Sequence, residues 1–499
     1  MNKTLKIISL IAASFAVGVG AQASDKALVN ALVKKGYITQ EEAQSISKDA
    51  MISPSGAKST SSITFGGMVQ AQYDYLKSNT KDIGTKGLDS SNDDANTVQR
   101  EKVSNPSLRR VKLAVDARLN KDWSATLGLG NTATGVNEGN TPQTTSANSY
   151  IELEYATISY NGLEDHVFSV GYDTPCFGLE NTSSSAHQKT LETSVAGRFF
   201  DQGLGLGNTS VGLFAAGSFL DGFYYNAAVT RASGINSNSF SDPYTNNPSL
   251  YGRLGYMYTW NEWNFDLGLD LCFVRGTLEK PYNTTYDFSL GTGANGQNNF
   301  TTTVGTAGHD TKVLGAGLYL KTSYRDFSMD VNFMIANIKN ARINDKAANP
   351  WGLTLTPSYK FMDGKYELVA RYSYVDAGKA RLGGKSGLAG APGSIIHPAI
   401  NKKNVSTPQL NAALGGGKFE AGELPFNKFH QFYIGGNWYI MGNDVKLTAG
   451  YDYTMAKDAS GFSDTISAGT KAAFEAAKLA GKDSKFYVHH FGVRLQLLF

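Results

Sequence analysis

The chain has 499 residues, a length that fits two or three soluble domains or one large β-barrel. It holds 54 Gly, 26 Tyr and 26 Phe but only 13 Pro, a balance that suits strands and turns better than helices. The formal charge of +3 falls to +1 without Lys3 and Lys6, and neither a basic arm nor zinc-ligand spacing is present, which argues against a nucleic-acid partner.

The first residues read "MNKTLKIISLIAASFAVGVGAQA". Lys3 and Lys6 precede an apolar run from Ile7 to Val19, and Ala21-Gln22-Ala23 has the form of a cleavage site. The expectation is a signal peptide over residues 1–23 and export of the rest. No later segment has the length of a transmembrane helix, so an exported chain that re-enters a membrane must do so as strands. Residues 24–60 have helical flavour: Leu28, Ala31 and Leu32 at helical spacing, a break at Gly36, a capping-box form in "TQEE" at Thr39–Glu42, then a Ser/Thr-rich joint. They predict two short periplasmic helices and a linker, either a plain spacer or a contact to the cell wall or another copy.

From residue 61 onward the pattern has period two. "ITFGGMVQAQYDY" places Ile63, Phe65, Val69, Ala71, Tyr73 and Tyr75 on one face, with Thr64, Gln70, Gln72 and Asp74 opposite. "VKLAVDARL", "WNFDLGLDLCF", "FSMDVNFMI", "WGLTLTPSYKF", "YELVARYSY", "FYIGGNWYI" and "VKLTAGYDY" alternate in the same way, as does "FYVHHFGVRLQLLF" at Phe486–Phe499. Connection lengths also take turns. Short turns stand at 120–122, 161–165, 220–222, 261–262, 322–326, 362–364 and 441–444, and long polar or Gly-rich stretches lie between them. About sixteen strands result, with short turns at one end and long loops at the other, the pattern of a transmembrane antiparallel β-barrel over residues 61–499. Trp260 and Trp263 flank a two-residue turn, Trp123 follows another, and Trp351 and Trp438 share the apolar parity, placements that suit interfacial girdles. A soluble β-sandwich alternates too, but its connections lack this polarity. In hydrocarbon every backbone N–H and C=O needs an internal partner, so strands cross only as a closed cylinder.

No nucleophile with its base, catalytic carboxylate pair or metal-ligand set stands out, so neither an enzyme nor a cofactor is expected. His166, His187, His309, His397, His430, His489 and His490 are scattered, and His489 and His490 point to opposite faces of one strand.

The stretch "FSVGYDTPCFGLENTSSSAHQKTLETSVAGRFFDQGLGLG" follows the fifth strand. Its Pro175, Phe177-Gly178-Leu179-Glu180, Thr182–Ser185 cluster and Arg198, together with "LRRVKL" at Leu108–Leu113, resemble the phosphate-selective porin O/P family. Cys176 is an extra residue within that motif. The resemblance implies a sixteen-strand, trimeric outer-membrane porin whose loop at about 173–208 folds inward and narrows a channel for anions such as phosphate. Strand parity turns Arg110, Lys112, Arg118, Arg253, Lys321, Lys360, Arg371, Lys446 and Arg494 toward the lumen as candidate anion contacts, and turns Arg109 away unless the strand bulges. Lys189 and Arg198, beside Glu180, Glu192 and Asp201, either set the constriction or anchor the loop to the wall. The lumen parity also collects the acids Asp74, Asp116, Glu152, Glu154, Asp266, Asp270, Asp330, Glu367 and Asp452, as in a general porin with a transverse field. Cys176 on the loop and Cys272 at an inward parity predict a tethering disulfide if their Cα atoms come within about 7 Å.

The functional expectation is passive diffusion of small hydrophilic or anionic solutes across a bacterial outer membrane, with a surface-binding barrel or adhesin as the alternative. Outer-membrane lipid and glycolipid, and the assembly machinery reached through the C-terminal strand, are the other expected partners. The long stretch 376–429 carries Lys379, Arg381, Lys385, Lys402, Lys403, Lys418 and Lys428, which either gather anions, touch glycolipid phosphates or are simply solvated.

Overall fold

Alternating apolar and polar residues give each strand one greasy and one wet side, and the chain joins these strands by folding back at every short turn. The computed structural model describes residues 62–78, 102–132, 152–207, 209–231, 248–277, 310–339, 347–378, 427–457 and 486–499. The expected signal peptide, the N-terminal helices and the basic residues of 379–426 lie outside them.

Sixteen strands form in chain order: β1 (Ser62–Ser78), β2 (Lys102–Arg118), β3 (Trp123–Thr132), β4 (Glu152–Leu163), β5 (His166–Asp173), β6 (Ser210–Leu220), β7 (Phe223–Arg231) and β8 (Pro248–Trp260). They continue as β9 (Trp263–Thr277), β10 (Asp310–Tyr324), β11 (Phe327–Lys339), β12 (Trp351–Phe361), β13 (Tyr366–Asp376), β14 (Lys428–Asn443), β15 (Val445–Lys457) and β16 (Phe486–Leu498). Each pairs antiparallel with its neighbours, and β1 pairs with β16, so the sheet closes without an edge. At the seam Phe499 exchanges backbone hydrogen bonds with Gly67 (2.8 and 3.1 Å), and its ring occupies the space a side chain at Gly67 would need.

All seven short turns fall where the sequence places them. Several need left-handed backbone, supplied by Asp165, Asn261, Arg325, Met362 and Asp363 as well as by glycines. Above the turns sits an aromatic belt. Trp263 stacks on Tyr324 (centroids 4.8 Å apart), Trp123 lies against Tyr160 (4.9 Å) and Trp438 against Tyr366 (6.1 Å).

Exposure follows parity. On β1, Phe65 and Tyr73 are 55% and 45% exposed, while Gln70, Gln72 and Asp74 on the other face are at most 4% exposed. Leu250, Leu254, Leu267, Leu269, Leu271, Leu314 and Leu318 form an exposed leucine band on β8–β10. Greasy side chains face out and polar ones face in, the reverse of a soluble sandwich.

One departure from strict alternation has a clear cause. Toward the long-loop ends of β9–β16 the inward parity turns apolar, with Cys272, Val274, Val313, Met334, Ala336, Ile338, Val375, Phe429, Ala456 and Val488 all buried. The segment between β5 and β6 folds into the barrel and packs Phe177, Val195, Phe199, Phe200, Leu204 and Leu206 against them as one cluster. At roughly 1.5–3 kcal/mol per buried large apolar side chain, these six contribute on the order of 10 kcal/mol to holding the segment inside.

Candidate functional site

The inward segment is short on regular structure. It holds a single 3-10 turn at Ser185–His187, an α-helix of four residues at Val195–Arg198 and a π-helical turn at Phe199–Gly203. Ser194 caps the helix by accepting from the Gly197 N–H (2.9 Å), and its hydroxyl donates to Glu180 in a very short contact. The wall finishes the helix start: Gln431 Oε1 accepts the Val195 N–H (2.7 Å) and Ser373 Oγ the Ala196 N–H (3.2 Å).

Five buried or half-buried wall cations reach this segment. Arg253 grips Asp270 with two bonds (2.6 and 2.7 Å) and also donates to Thr182 Oγ1 (3.0 Å) and the Gly178 carbonyl (3.2 Å). Asp270 in turn accepts the Gly178 N–H (2.8 Å). Gly178 sits at φ +74°, a conformation that costs a glycine nothing. Arg371 donates to Thr190 Oγ1 (2.8 Å), the Glu192 carbonyl (2.7 Å) and Glu180 (3.3 Å), with Asp452 at 3.6 Å. Lys446 donates to the carbonyls of Ala186 (2.8 Å) and Gln188 (3.0 Å).

Glu192 is the hub of the other two. Arg109 meets it with two bonds (2.9 and 2.8 Å), and Arg494 donates to Glu192 Oε1 (2.7 Å) and to Gln72 Oε1 (2.6 Å). Burial alone would raise the Glu192 carboxyl, but Arg109 and Arg494 outweigh it and hold the group well below the usual carboxylate range. Arg109 faces inward because β2 bulges. Gln70 pairs with Arg110 and Ala71 with Leu108, which leaves Arg109 as the extra residue. Arg110 donates to Gln70 Oε1 (2.9 Å), a neutral partner.

The remaining candidates divide by position. Lys189 leaves the segment to reach Asp330 and Ser328 (both 2.9 Å), and Lys112 pairs with Glu154 (2.7 Å) across the β2–β4 wall. Lys321 is half-buried, level with Asp266 on β9 and Asp330 on β11. Lys360 lies near the short-turn end over the Tyr439 ring (5.6 Å), and Arg118 is exposed at that same end. Arg198 is 1% exposed and bonds the Thr193 carbonyl within its own segment, so it lines no opening. The expected disulfide is not formed. Cys176 and Cys272 are free thiols, with Cys176 Sγ donating to the Asn226 carbonyl (3.5 Å) and Cys272 packed in the apolar cluster.

Parity alone could name the wall cations but not their partners. Glu192, Asp270 and Gln431 gain their roles from the fold of the segment, and nothing local in the sequence sets them apart from other polar residues.

The segment reaches β7 through β16 and continues onto β1 and β2, while inward residues of β3–β5 stay more open. Inward residues of β12–β16, such as Thr354, Ser373, Gln431, Asp452 and Gln496, are almost fully buried beneath it. On β3–β5, Thr126, Glu154, Thr157, Ser159, Ser169 and Gly171 stay half-exposed. Within the segment Glu180, Asn181, Thr182 and Ser183–Ser185 are also half-exposed. Half-exposed polar side chains thus remain both on the loop and on the inner side of β3–β5.

A barrel greasy outside, polar within and narrowed by an internal loop defines a porin of the bacterial outer membrane. The sequence matches the family model of phosphate-selective porins O and P over residues 83–459, and the chain belongs to that family. No curated protein sequence matches it. Among solved structures, the outer-membrane channel DcaP of Acinetobacter baumannii has a similar fold, with a TM-score of 0.50 and 10% identity over 90% of this chain and 100% of that one. OprB of Pseudomonas putida (TM-score 0.48, 11% identity, 88% and 94% covered) and an anion-selective porin from Comamonas acidovorans (0.47, 11%, 88% and 100%) are further neighbours.

Proposed function

We propose that this porin passes small hydrophilic solutes by passive diffusion along the β3–β5 wall, that anions are its favoured ions, that it carries out no catalysis and that it works as a trimer. The half-exposed polar inner side of β3–β5 carries the diffusion reading, because a lumen packed shut would bury it. Anion preference draws support from the family and from Arg110, a buried guanidinium on β2 that bonds a neutral side chain, whereas Arg109, Lys112, Arg253, Arg371 and Arg494 meet carboxylates. A cation in a narrow, partly dehydrated passage draws anions and replaces part of their water shell.

Planar bilayers test this in one experiment. The expected record is ohmic single-channel steps, with a reversal potential of anion-selective sign in a KCl gradient. Cation-selective sign removes the anion reading and leaves diffusion intact. Absence of steps from folded protein removes both.

A further inference from the structure

The outward surface is not uniform at its long-loop edge. On β14, β15, β16 and β1, which are consecutive around the wall, outward positions carry Lys428, Lys457, Lys77, His430 and His489. Register places them together. Lys428 stands opposite Lys457, His430 opposite Tyr374, and His489 opposite both Tyr453 and Lys77.

Tyrosines hold the imidazoles in place. Tyr372 Oη lies 3.1 Å from His430 Nδ1 and Tyr451 Oη 2.5 Å from His489 Nδ1, while Tyr374 and Tyr453 pack on the two rings at 4.9 Å. Neither Lys77 nor Lys457 forms an ion pair among the described residues. Asp376, opposite Lys428, is the one carboxylate at these outward positions, and it accepts the Gly378 N–H (2.9 Å). Phe432, Ile434 and Phe491 follow directly below and are exposed, so the patch stands where hydrocarbon gives way to headgroups. The opposite edge has the other sign: the seven short turns carry eight carboxylates against Lys121, Arg325 and Lys365.

We propose that this patch binds a phosphorylated glycolipid headgroup of the outer leaflet. Phosphate oxygens accept charge-assisted bonds from Lys77, Lys428 and Lys457, strengthened by the low dielectric beside the hydrocarbon. The two imidazoles and the tyrosine hydroxyls add donors for phosphate or sugar oxygens, and the aromatic faces below meet the acyl chains. Lys457 and the His489 row are four residues apart along the strand, about 14 Å at roughly 3.4 Å per residue. That span suits a headgroup with two phosphates better than a single small ion. The proposal rests on the direction in which the barrel sits in the membrane, not on which solute it passes.

Native mass spectrometry of the detergent-solubilised full chain tests it, with bis-phosphorylated lipid A, chemically dephosphorylated lipid A and phosphatidylglycerol as probes. The expected result is selective retention of bis-phosphorylated lipid A, about tenfold tighter than either other lipid. Lys77→Ala/Lys428→Ala/Lys457→Ala should remove that preference, and Lys312→Ala/Lys339→Ala on β10 and β11 should keep it. Equal binding of dephosphorylated lipid A, equal binding of phosphatidylglycerol, or equal losses in the two variants would each overturn the site. Heat-modifiable migration reports folding of each variant. Should the triple variant misfold, His489→Gln reads the same preference with the lysines intact, and an unchanged preference there counts against the proposal.

Discussion

Glu192 decides how much positive charge the lumen offers. It absorbs the two guanidinium groups of Arg109 and Arg494, both of which would otherwise face the lumen beside Arg110. Glu192→Gln keeps the shape and most hydrogen bonds but removes the counter-charge, so the anion-to-cation permeability ratio should rise several-fold in reversal-potential measurements. Because its carboxyl is held well below the usual range, Glu192 itself adds no pH dependence between pH 5 and 8. Asp201 behaves oppositely. Burial, helped by the like charge of Glu180, pushes its carboxyl up to about 7. A native pKa above the unfolded one means that the folded chain binds the extra proton near neutrality. Its favourable contribution is complete below pH 4 and is lost as pH rises through 7. Between pH 6 and 8 the loop therefore gains a negative charge, and cation permeability should increase. Asp201→Asn should flatten that slope.

Among the elements, the internal segment is fastened by both apolar packing and ion pairs. The Arg253–Asp270 pair is nearly inaccessible, and Asp270→Ala leaves a guanidinium without its counter-charge, a loss of about 3–5 kcal/mol. Noisier and larger single-channel currents are the expected readout, with barrel migration on gels unchanged. The strands themselves were readable from the sequence, since "WNFDLGLDLCF" alternates cleanly and every short turn could be placed. Two features were not. The Arg109 bulge depends on how β2 meets β1, and register is a pairwise property that a single strand does not encode. The apolar inner surface was present as local runs such as Leu271–Val274, where both parities turn greasy, but its purpose appears only once the β5–β6 segment lies against it. For the same reason cations named by parity as solute contacts became anchors: Arg253, Arg371, Lys446 and Arg494 do face inward, beneath a covering segment.

Taken whole, the molecule has two solvents, and substitutions should be read by the one they meet. Leu254 is 47% exposed on the greasy face of β8. Leu254→Arg should cost about 2–4 kcal/mol near the bilayer midplane, measured by urea unfolding from liposomes. Arg introduced for Ser159, on the more open inner wall of β4, should leave that midpoint nearly unchanged and alter conductance instead. The seam imposes an order on assembly as well. Gln70 of β1 hydrogen-bonds Gln496 of β16 (2.8 Å), a contact between residues 426 apart in sequence. A hoop of this kind cannot be fastened while its far end is still being made, so every shorter intermediate carries two bare rims able to zip onto a stranger. The polypeptide must therefore be kept apart from its siblings until the last stave arrives.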